Sequence, residues 1–510
     1  MEEFLKTLRE QIGEDKVITD VDLLAQVSQN SLGVNRRVPA ILFPKSEADV
    51  LSIVKSAGQW SVPLYPLSRG RNRGYGDMTP VKKNQVVVSL ERMSRILDLD
   101  IEGGTVTIEP GVSQGQLVSF LRQNAKDWMA DVTGASPEAS LVGNTLDGGF
   151  GHTPLGNHRD HLLSLRAVLG SGEVLHTGRF PTMGPNLAPL FIQSNFGIVT
   201  ALQLPLFRRP EVIVTYTLQI SKEENYLEVL PVLRELRQLG VIRSLPHFAN
   251  ATRIFMSTNH FPPELGKEQC LSDADCRERL KIPLMRTPLW AGVGGLYGSQ
   301  IQVKESMHIL KTRLGKYGQV KMFNPGRFKI LRRLSRLFFF NSPSYLQNVE
   351  RSLSSLEDIY SLCEGIPSAR PNEHIQWKTQ NKTDLGLIWI CPVIRACPQE
   401  AEKLLRLVRP IFEKFRFELP ITMTLIDEIH LVCVLNISFD KSNQEQLLRA
   451  HRAYRMLHSE FRKERINCYR NGIVFQGYGI PKERLESIQK LKRAWDPQGI
   501  IAPGRYGIRS

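Results

Sequence analysis

Val142-Gly-Asn-Thr-Leu-Asp-Gly-Gly-Phe-Gly-His-Thr-Pro-Leu-Gly156 is the stretch that decides how this chain folds. Most of its residues are Gly, Asn, Thr, Pro, Asp or His, types that favour tight turns and local hydrogen bonding over regular packing. Three more loops share that character. Pro66-Leu-Ser-Arg-Gly-Arg-Asn-Arg-Gly-Tyr-Gly76 precedes it and Gln193-Ser-Asn-Phe-Gly-Ile-Val-Thr200 follows. Trp495-Asp-Pro-Gln-Gly-Ile-Ile-Ala-Pro-Gly-Arg505 lies near the C-terminus. Singly, each reads as a tight connection; in this order they form a specific signal.

The first loop is the most telling chemically. Gly70, Gly74 and Gly76 let the backbone take positive φ and bring successive N–H groups to one anion, and Arg69, Arg71 and Arg73 add positive charge. That suits a pyrophosphate. The loop is not a Walker A motif, since it lacks Gly-Lys-Ser/Thr, and it is not a G-x-G-x-x-G fingerprint.

Working outward, the first third alternates short β-like runs with helical stretches. Val38–Phe43, Val62–Leu67, Gln85–Leu90 and Thr105–Glu109 read as strands, the last closed by Pro110-Gly111. Ser46–Trp60 reads as a helix with Ser46 as N-cap and Glu47 and Asp49 in its first turn. After about Phe207 the texture changes. Helical patterns over Glu223–Leu239, Gln399–Arg416 and Asn443–Glu464 alternate with the β-branched runs Leu387–Val393 and His430–Phe439. From Cys468 onward, Gly/Pro-rich loops surround one helix, Glu483–Trp495. The alternation predicts an α+β or α/β first domain and a second domain of sheet plus helices.

Composition narrows the class. A chain of 510 residues, 42% hydrophobic and 23% charged, builds two or three domains with real cores. The opening MEEFLKTLRE has no apolar h-region, and no run of 18 apolar residues occurs, so a cytosolic location is expected. Cys270, Cys276, Cys363, Cys391, Cys397, Cys433 and Cys468 are scattered, with no C-x-x-C, which argues against a disulfide framework or zinc site. The net charge of +15 fits an anionic cofactor, lipid surface or partner. With no helix-turn-helix, RNP motif or zinc finger, nucleic acid is not expected.

The segments GRNRGYG, EPGV, VGNTLDGGFGHTPLGNH, SGEVLHTG, QSNFGIVT, CYRNG and DPQGIIAPGRYGI, in this order between about Val38 and Gly507, carry a resemblance. The chain resembles the 4-alkylphenol-oxidising branch of the vanillyl-alcohol oxidase / 4-cresol dehydrogenase family of FAD-binding PCMH-type flavoproteins. The resemblance implies an α+β protein. Its bipartite PCMH-type FAD-binding domain of two α/β subdomains would comprise residues 1–210 and 466–510. An α+β cap with an antiparallel sheet would span 211–465. FAD would contact Arg69, Gly70, Arg71, Asn72, Gly74 and Gly76 in the first loop. Gly143, Asn144, Gly148, Gly151 and His152 would follow in the second, then Asn195, Gly197, Ile198, Val199 and Arg505.

The resemblance also implies a substrate site. Members acting on para-alkylphenols hold the phenolic oxygen with two tyrosines and an arginine, matched here by Tyr75, Tyr469 and Arg470. Two phenol donors and a guanidinium stabilise the phenolate, which releases hydride from the para-benzylic carbon to flavin and leaves a p-quinone methide. Water addition, or loss of a hydroxyl proton to give an aldehyde, completes the reaction. Oxygen or an electron-carrier protein would take the electrons, and a homodimer is expected by analogy.

Three positions depart from the pattern. His430 lies where relatives carry a flavin-linking histidine, but Leu431 replaces the second histidine there, so covalent FAD and a packed strand histidine both stay open. The carboxylate expected shortly before V-G-N falls at Gly134, Ala135 or Ser136, with Asp131 and Glu138 as possible substitutes. That favours hydroxylation or a changed substrate over an oxidase outcome. Phe328–Phe340 is longer and more basic than in relatives. On a helix, Lys329, Arg332, Arg333 and Arg336 share one face, and Ile330, Leu331, Leu334, Leu337 and Phe338 the other. Residues 327–340 therefore read as a peripheral membrane contact or docking face, or as a core-facing helix with a solvated basic side. Two other functions stay open: a flavoprotein dehydrogenase of a non-phenolic biosynthetic substrate, and a flavin electron-transfer subunit of a membrane-associated assembly.

Overall fold

The computed structural model describes residues 1–178, 183–262, 264–266, 269–279, 288–338, 343–368, 370, 375, 378, 381, 383–477 and 479–509. The side chains of 338 and 343–345 lie outside that description.

Among the described residues, three larger sheets follow one another along the chain, and Trp128–Met129 pairs with Phe207–Arg208 as a separate two-stranded sheet. In the first, Ile41–Leu42 and Leu64–Leu67 run parallel to either side of Val86–Ser89, with Val17–Ile18 at one edge. Val86, Val87 and Val88 are fully buried, as parallel strands covered on both faces require. The covering helix Glu47–Gln59 starts at Ser46, whose hydroxyl accepts from Asp49 N at 3.1 Å. The second sheet is antiparallel, in the order Ile96–Asp100, Thr105–Ile108, Gly197–Pro205, Ser164–Leu169, Val174–His176.

Val212 opens a third, nine-stranded antiparallel sheet that ends with Asn467–Cys468. Its longest strands are Val212–Ile220, Trp290–Gly298 and His430–Asp440. The helices Glu223–Gln238, Pro398–Lys414 and Gln444–Lys463 bury apolar residues in the core of this sheet, Leu233, Leu404 and Leu457 among them.

The C-terminal segment returns to the first two sheets. Leu64 N donates to Ile500 O at 2.8 Å and Ala502 N to Leu64 O at 2.7 Å, so residues 500–502 extend the first sheet. Trp495 stacks on Phe191 with ring centroids 5.6 Å apart. Beside it, fully buried Lys492 pairs with Asp496 at 2.5 Å and donates to Ile501 O at 2.8 Å. This clamp delivers Arg505 and Tyr506 to the middle of the molecule.

The basic segment folds as the helix Pro325–Phe338, and its aliphatic row does not face a core. Arg332 binds Glu350 at 3.0 Å and Glu357 at 2.7 Å, and Arg336 reaches Glu350 at 3.5 Å. Ile330 and Leu337 are 60% and 63% exposed, and Leu331 and Leu334 are exposed beside them. Carboxylates of the helix Pro343–Cys363 hold Arg332 half-buried, while Lys329, Arg333 and Arg336 stay exposed beside the aliphatic row. Phe339 and Phe340 lie outside the described residues, as does the Phe338 side chain. Among the described residues, no helix is long and apolar enough to cross a membrane.

Candidate active site

One cavity of about 1400 Å³ runs between the glycine-rich loops and the third sheet. Of the expected cofactor residues, Arg69, Gly70, Arg71, Asn72, Gly143, Asn144, His152, Asn195, Gly197, Ile198, Val199 and Arg505 line it, as do Tyr75, Tyr469 and Arg470. Gly74, Gly76, Gly148 and Gly151 stand behind the wall instead. A Cβ at Gly74 would strike Trp389, at Gly76 Ile473, at Gly148 Arg159, and at Gly151 Asp131. These four let side chains pack tightly against the loops.

The first loop fits an anionic cofactor on its own geometry. Among the described residues, the N–H groups of Gly70, Arg71, Asn72 and Arg73 make no hydrogen bond, and all four residues face the cavity. Gly70 has φ 65°. Four successive free amides with arginines beside them form a nest for a pyrophosphate. Gly143 serves close approach too, since a Cβ there would come within 2.7 Å of Ser68 Oγ.

A single carboxylate, Asp147, organises the centre. Its Oδ1 accepts from Arg505 Nη2 at 3.0 Å and from Tyr506 OH, and its Oδ2 accepts from Arg470 Nη2. Burial alone would raise the Asp147 pKa, but Arg470 and Arg505 outweigh it and hold the group below its ordinary value. Arg470 Nη2 also donates to Asn72 Oδ1 at 2.6 Å, and its guanidinium lies 4.0 Å from the centre of the Tyr75 ring. Tyr75 OH and Cys391 Sγ are 3.1 Å apart. Burial pushes the Tyr75 hydroxyl far up and the Tyr469 hydroxyl up too, with Cys391 adding to both; both stay protonated donors at neutral pH. The Tyr469 loop is fixed by its backbone: Tyr469 N donates to Cys391 O at 3.0 Å, and its own carbonyl accepts from Gln193 Nε2 at 2.5 Å and Arg159 Nη2 at 3.3 Å.

The stretch before V-G-N places no carboxylate on the wall. Thr133, Gly134, Ala135, Ala139 and Ser140 line the cavity. Buried Asp131 is held behind it, accepting from His152 N at 3.1 Å and Thr153 N at 3.0 Å and meeting His158 Nε2 at 3.0 Å. Glu138 pairs with Arg69 at 2.5 Å and is exposed. Imidazoles occupy the wall instead: His152 and His247 have ring centroids 4.3 Å apart, and among the described residues His247 Nε2 has no hydrogen-bond partner. Burial lowers His152 to about 4 and His247 well below its ordinary value, so both are neutral at pH 7.

His430 corrects an expectation. It begins the strand His430–Asp440 at an exposed end, pairs with Asp427 at 2.9 Å, and does not line the cavity. The next residue, Leu431, is the one turned into the core. Several residues of this centre were not singled out from the sequence: Asp147, Tyr506, Tyr65, Cys391, His247 and Arg253. Asp147 and Tyr506 at least sit inside the signal segments, and Tyr506 takes φ 53°, a left-handed conformation uncommon for a bulky residue.

With this geometry in view, the known relatives become informative. Residues 38–178 match the family of FAD binding domains. The chain is 30% identical to the 1'-carboxy-chondrochloren decarboxylase of Chondromyces crocatus, over 100% of this chain and 98% of that protein. It is 26% identical to the 4-cresol dehydrogenase [hydroxylating] flavoprotein subunit of Pseudomonas putida, over 99% and 95% of the two. Its fold superposes on p-cresol methylhydroxylase crystallised with substrate bound at a TM-score of 0.87, with 24% identity over 100% of this chain and 97% of that one. The chain belongs to the vanillyl-alcohol oxidase / 4-cresol dehydrogenase family of FAD-binding PCMH-type flavoproteins. It is an FAD-dependent oxidoreductase.

Proposed function

We propose that this flavoprotein takes hydride from the benzylic carbon of a para-substituted phenol, of the 4-alkylphenol or 4-hydroxybenzyl alcohol type. The observation that carries the reading is the convergence of Tyr75, Tyr469 and Arg470 on one cavity whose other wall is the glycine-rich loops. Bound FAD supplies the two-electron acceptor. Tyr75 and Tyr469 donate to the phenolic oxygen, and Arg470 adds a positive charge beside it, so the substrate ionises more readily and its ring becomes electron-rich. Asn72 and Asp147 hold Arg470 in place. The wall near residues 133–140 bears no carboxylate, which favours water addition to the quinone methide over proton loss to a carboxylate base. Anaerobic mixing with a panel of 4-alkylphenols tests the reading through loss of the oxidised flavin band.

We further propose a peripheral contact between the helix Pro325–Phe338 and an anionic lipid surface. The exposed row Ile330, Leu331, Leu334 and Leu337 supports it, flanked by exposed Lys329 and Arg333. Vesicle co-sedimentation tests it.

A further inference from the structure

Among the described residues, Arg253 has no counter-ion. It lies on the helix Ala251–Thr258, is 7% exposed, and lines the cavity. Its backbone N–H donates to the N-cap Asn250 Oδ1 at 3.1 Å, which fixes the helix start. The side chain is another matter. Nε has no hydrogen-bond partner, and among the described residues no carboxylate pairs with the guanidinium. The Trp389 ring lies 5.7 Å from the guanidinium carbon, a weak cation–π contact. Burial lowers its pKa to about 10, which leaves it charged at neutral pH.

The contrast with its neighbours is sharp. Arg470 and Arg505 share Asp147, so their charges are largely answered within the protein. A cation left alone in a buried wall is among the most costly arrangements in a folded chain, and the cost is recovered when a bound anion completes the pair. Position narrows the anion. Arg253 lines the same cavity as Tyr75, Tyr469 and Arg470 but from a different element, the helix Ala251–Thr258. Those three already supply donors for a phenolic oxygen. A guanidinium fork matches a carboxylate in two parallel hydrogen bonds, and one negative charge balances it. A phosphate dianion would leave negative charge over in the same buried wall.

We propose that Arg253 anchors a carboxylate carried on the side chain of the substrate. The substrate class becomes a para-substituted phenol with an acid group a few bonds from the ring, and this assignment rests on the phenol reading above. The carboxylate ties down the end remote from the phenolic oxygen and so fixes the benzylic carbon between two anchored ends. A phenol with a plain alkyl chain leaves Arg253 unanswered.

The experiment uses the FAD-loaded enzyme without oxygen and three ligands: 3-(4-hydroxyphenyl)propanoate, 4-propylphenol and 3-phenylpropanoate. Binding is read from flavin absorbance and from tryptophan fluorescence, since Trp389 adjoins Arg253. The wild type is expected to bind the hydroxyphenyl acid about ten- to a hundredfold tighter than 4-propylphenol, the range for a charge-assisted hydrogen-bonded pair. Arg253→Met should erase that preference and abolish binding of 3-phenylpropanoate. It should also melt higher than the wild type without ligand, because a lone buried charge is gone. If no phenol reduces the flavin, the phenol reading fails, and loss of 3-phenylpropanoate binding in Arg253→Met still upholds the anion site. An unchanged preference in the variant, equal weakening of both phenols, or a lower melting temperature would each overturn the inference.

Discussion

The Arg470 guanidinium sits 4.0 Å from the centre of the Tyr75 ring while its Nη2 binds Asn72 at 2.6 Å. Arginine and tyrosine are therefore one unit, set before any substrate arrives. Tyr469→Phe and Arg470→Ala should each slow flavin reduction by a phenol roughly 10²–10³-fold, the usual loss when one preorganised donor to a developing anion is removed. Stopped-flow absorbance of the loaded enzyme checks this. Little change with a good phenol would mean that these residues serve another substrate.

Asp147 makes a different forecast, because it neutralises two buried arginines. Asp147→Asn leaves Arg470 and Arg505 without their carboxylate, and removal of one member of a buried pair typically costs about 3–5 kcal/mol. The expected outcome is a clear drop in denaturation midpoint together with weaker phenol binding. Normal stability with impaired turnover would show that Asp147 acts on the chemistry and not on the arginines.

Much of this arrangement was legible in the sequence, and the reason is local. Ser46 caps the helix Glu47–Gln59 as its hydroxyl and the acidic first turn require, and the helical pattern over Asn443–Glu464 appears as Gln444–Lys463. Tyr75, Tyr469 and Arg470 were found through their motifs and do meet on one cavity. What stayed hidden depends on long-range pairing. Arg253 lies in ATRIFMST, where nothing distinguishes it from a surface arginine, and only the third sheet brings it beside Trp389. His430 was misplaced because a one-residue register decides which side chain of a strand faces inward. On the helix Pro325–Phe338 the core-facing reading fails, because the aliphatic row Ile330, Leu331, Leu334 and Leu337 is exposed and only Arg332 is drawn towards Glu350 and Glu357.

Acid should weaken the fold before carboxylates titrate. His152 is held neutral with a folded pKa of about 4, below its ordinary 6.5, and His247 is lowered further. The unfolded chain therefore binds protons that the folded chain refuses, and stability falls as pH drops from about 6.5 towards 4. For His152 alone the loss at pH 5 is on the order of 2 kcal/mol. Melting temperature across pH 7.5 to 5 should fall, and less steeply in His152→Gln. An identical slope in that variant would contradict the assignment.

The exposed aliphatic row offers a clean surface test. Leu334→Ser with Leu337→Ser, and Lys329→Glu with Arg333→Glu, change only exposed positions, whereas changes at Arg332 or Arg336 would break pairs with Glu350. Co-sedimentation with vesicles rich in anionic lipid should fall in both double variants, with about 1 kcal/mol lost per basic residue near the surface. Equal sedimentation of variants and wild type would remove the lipid contact.

The central claim is phenol oxidation at the Tyr75–Tyr469–Arg470 site, and the most direct test is the visible spectrum of the FAD-loaded protein without oxygen. Added para-substituted phenols, acid-bearing ones included, should bleach the oxidised flavin band within seconds, and admission of air would then separate oxygen from a carrier protein as acceptor. A band that no phenol bleaches would contradict the claim and move the substrate elsewhere within the same flavoprotein fold.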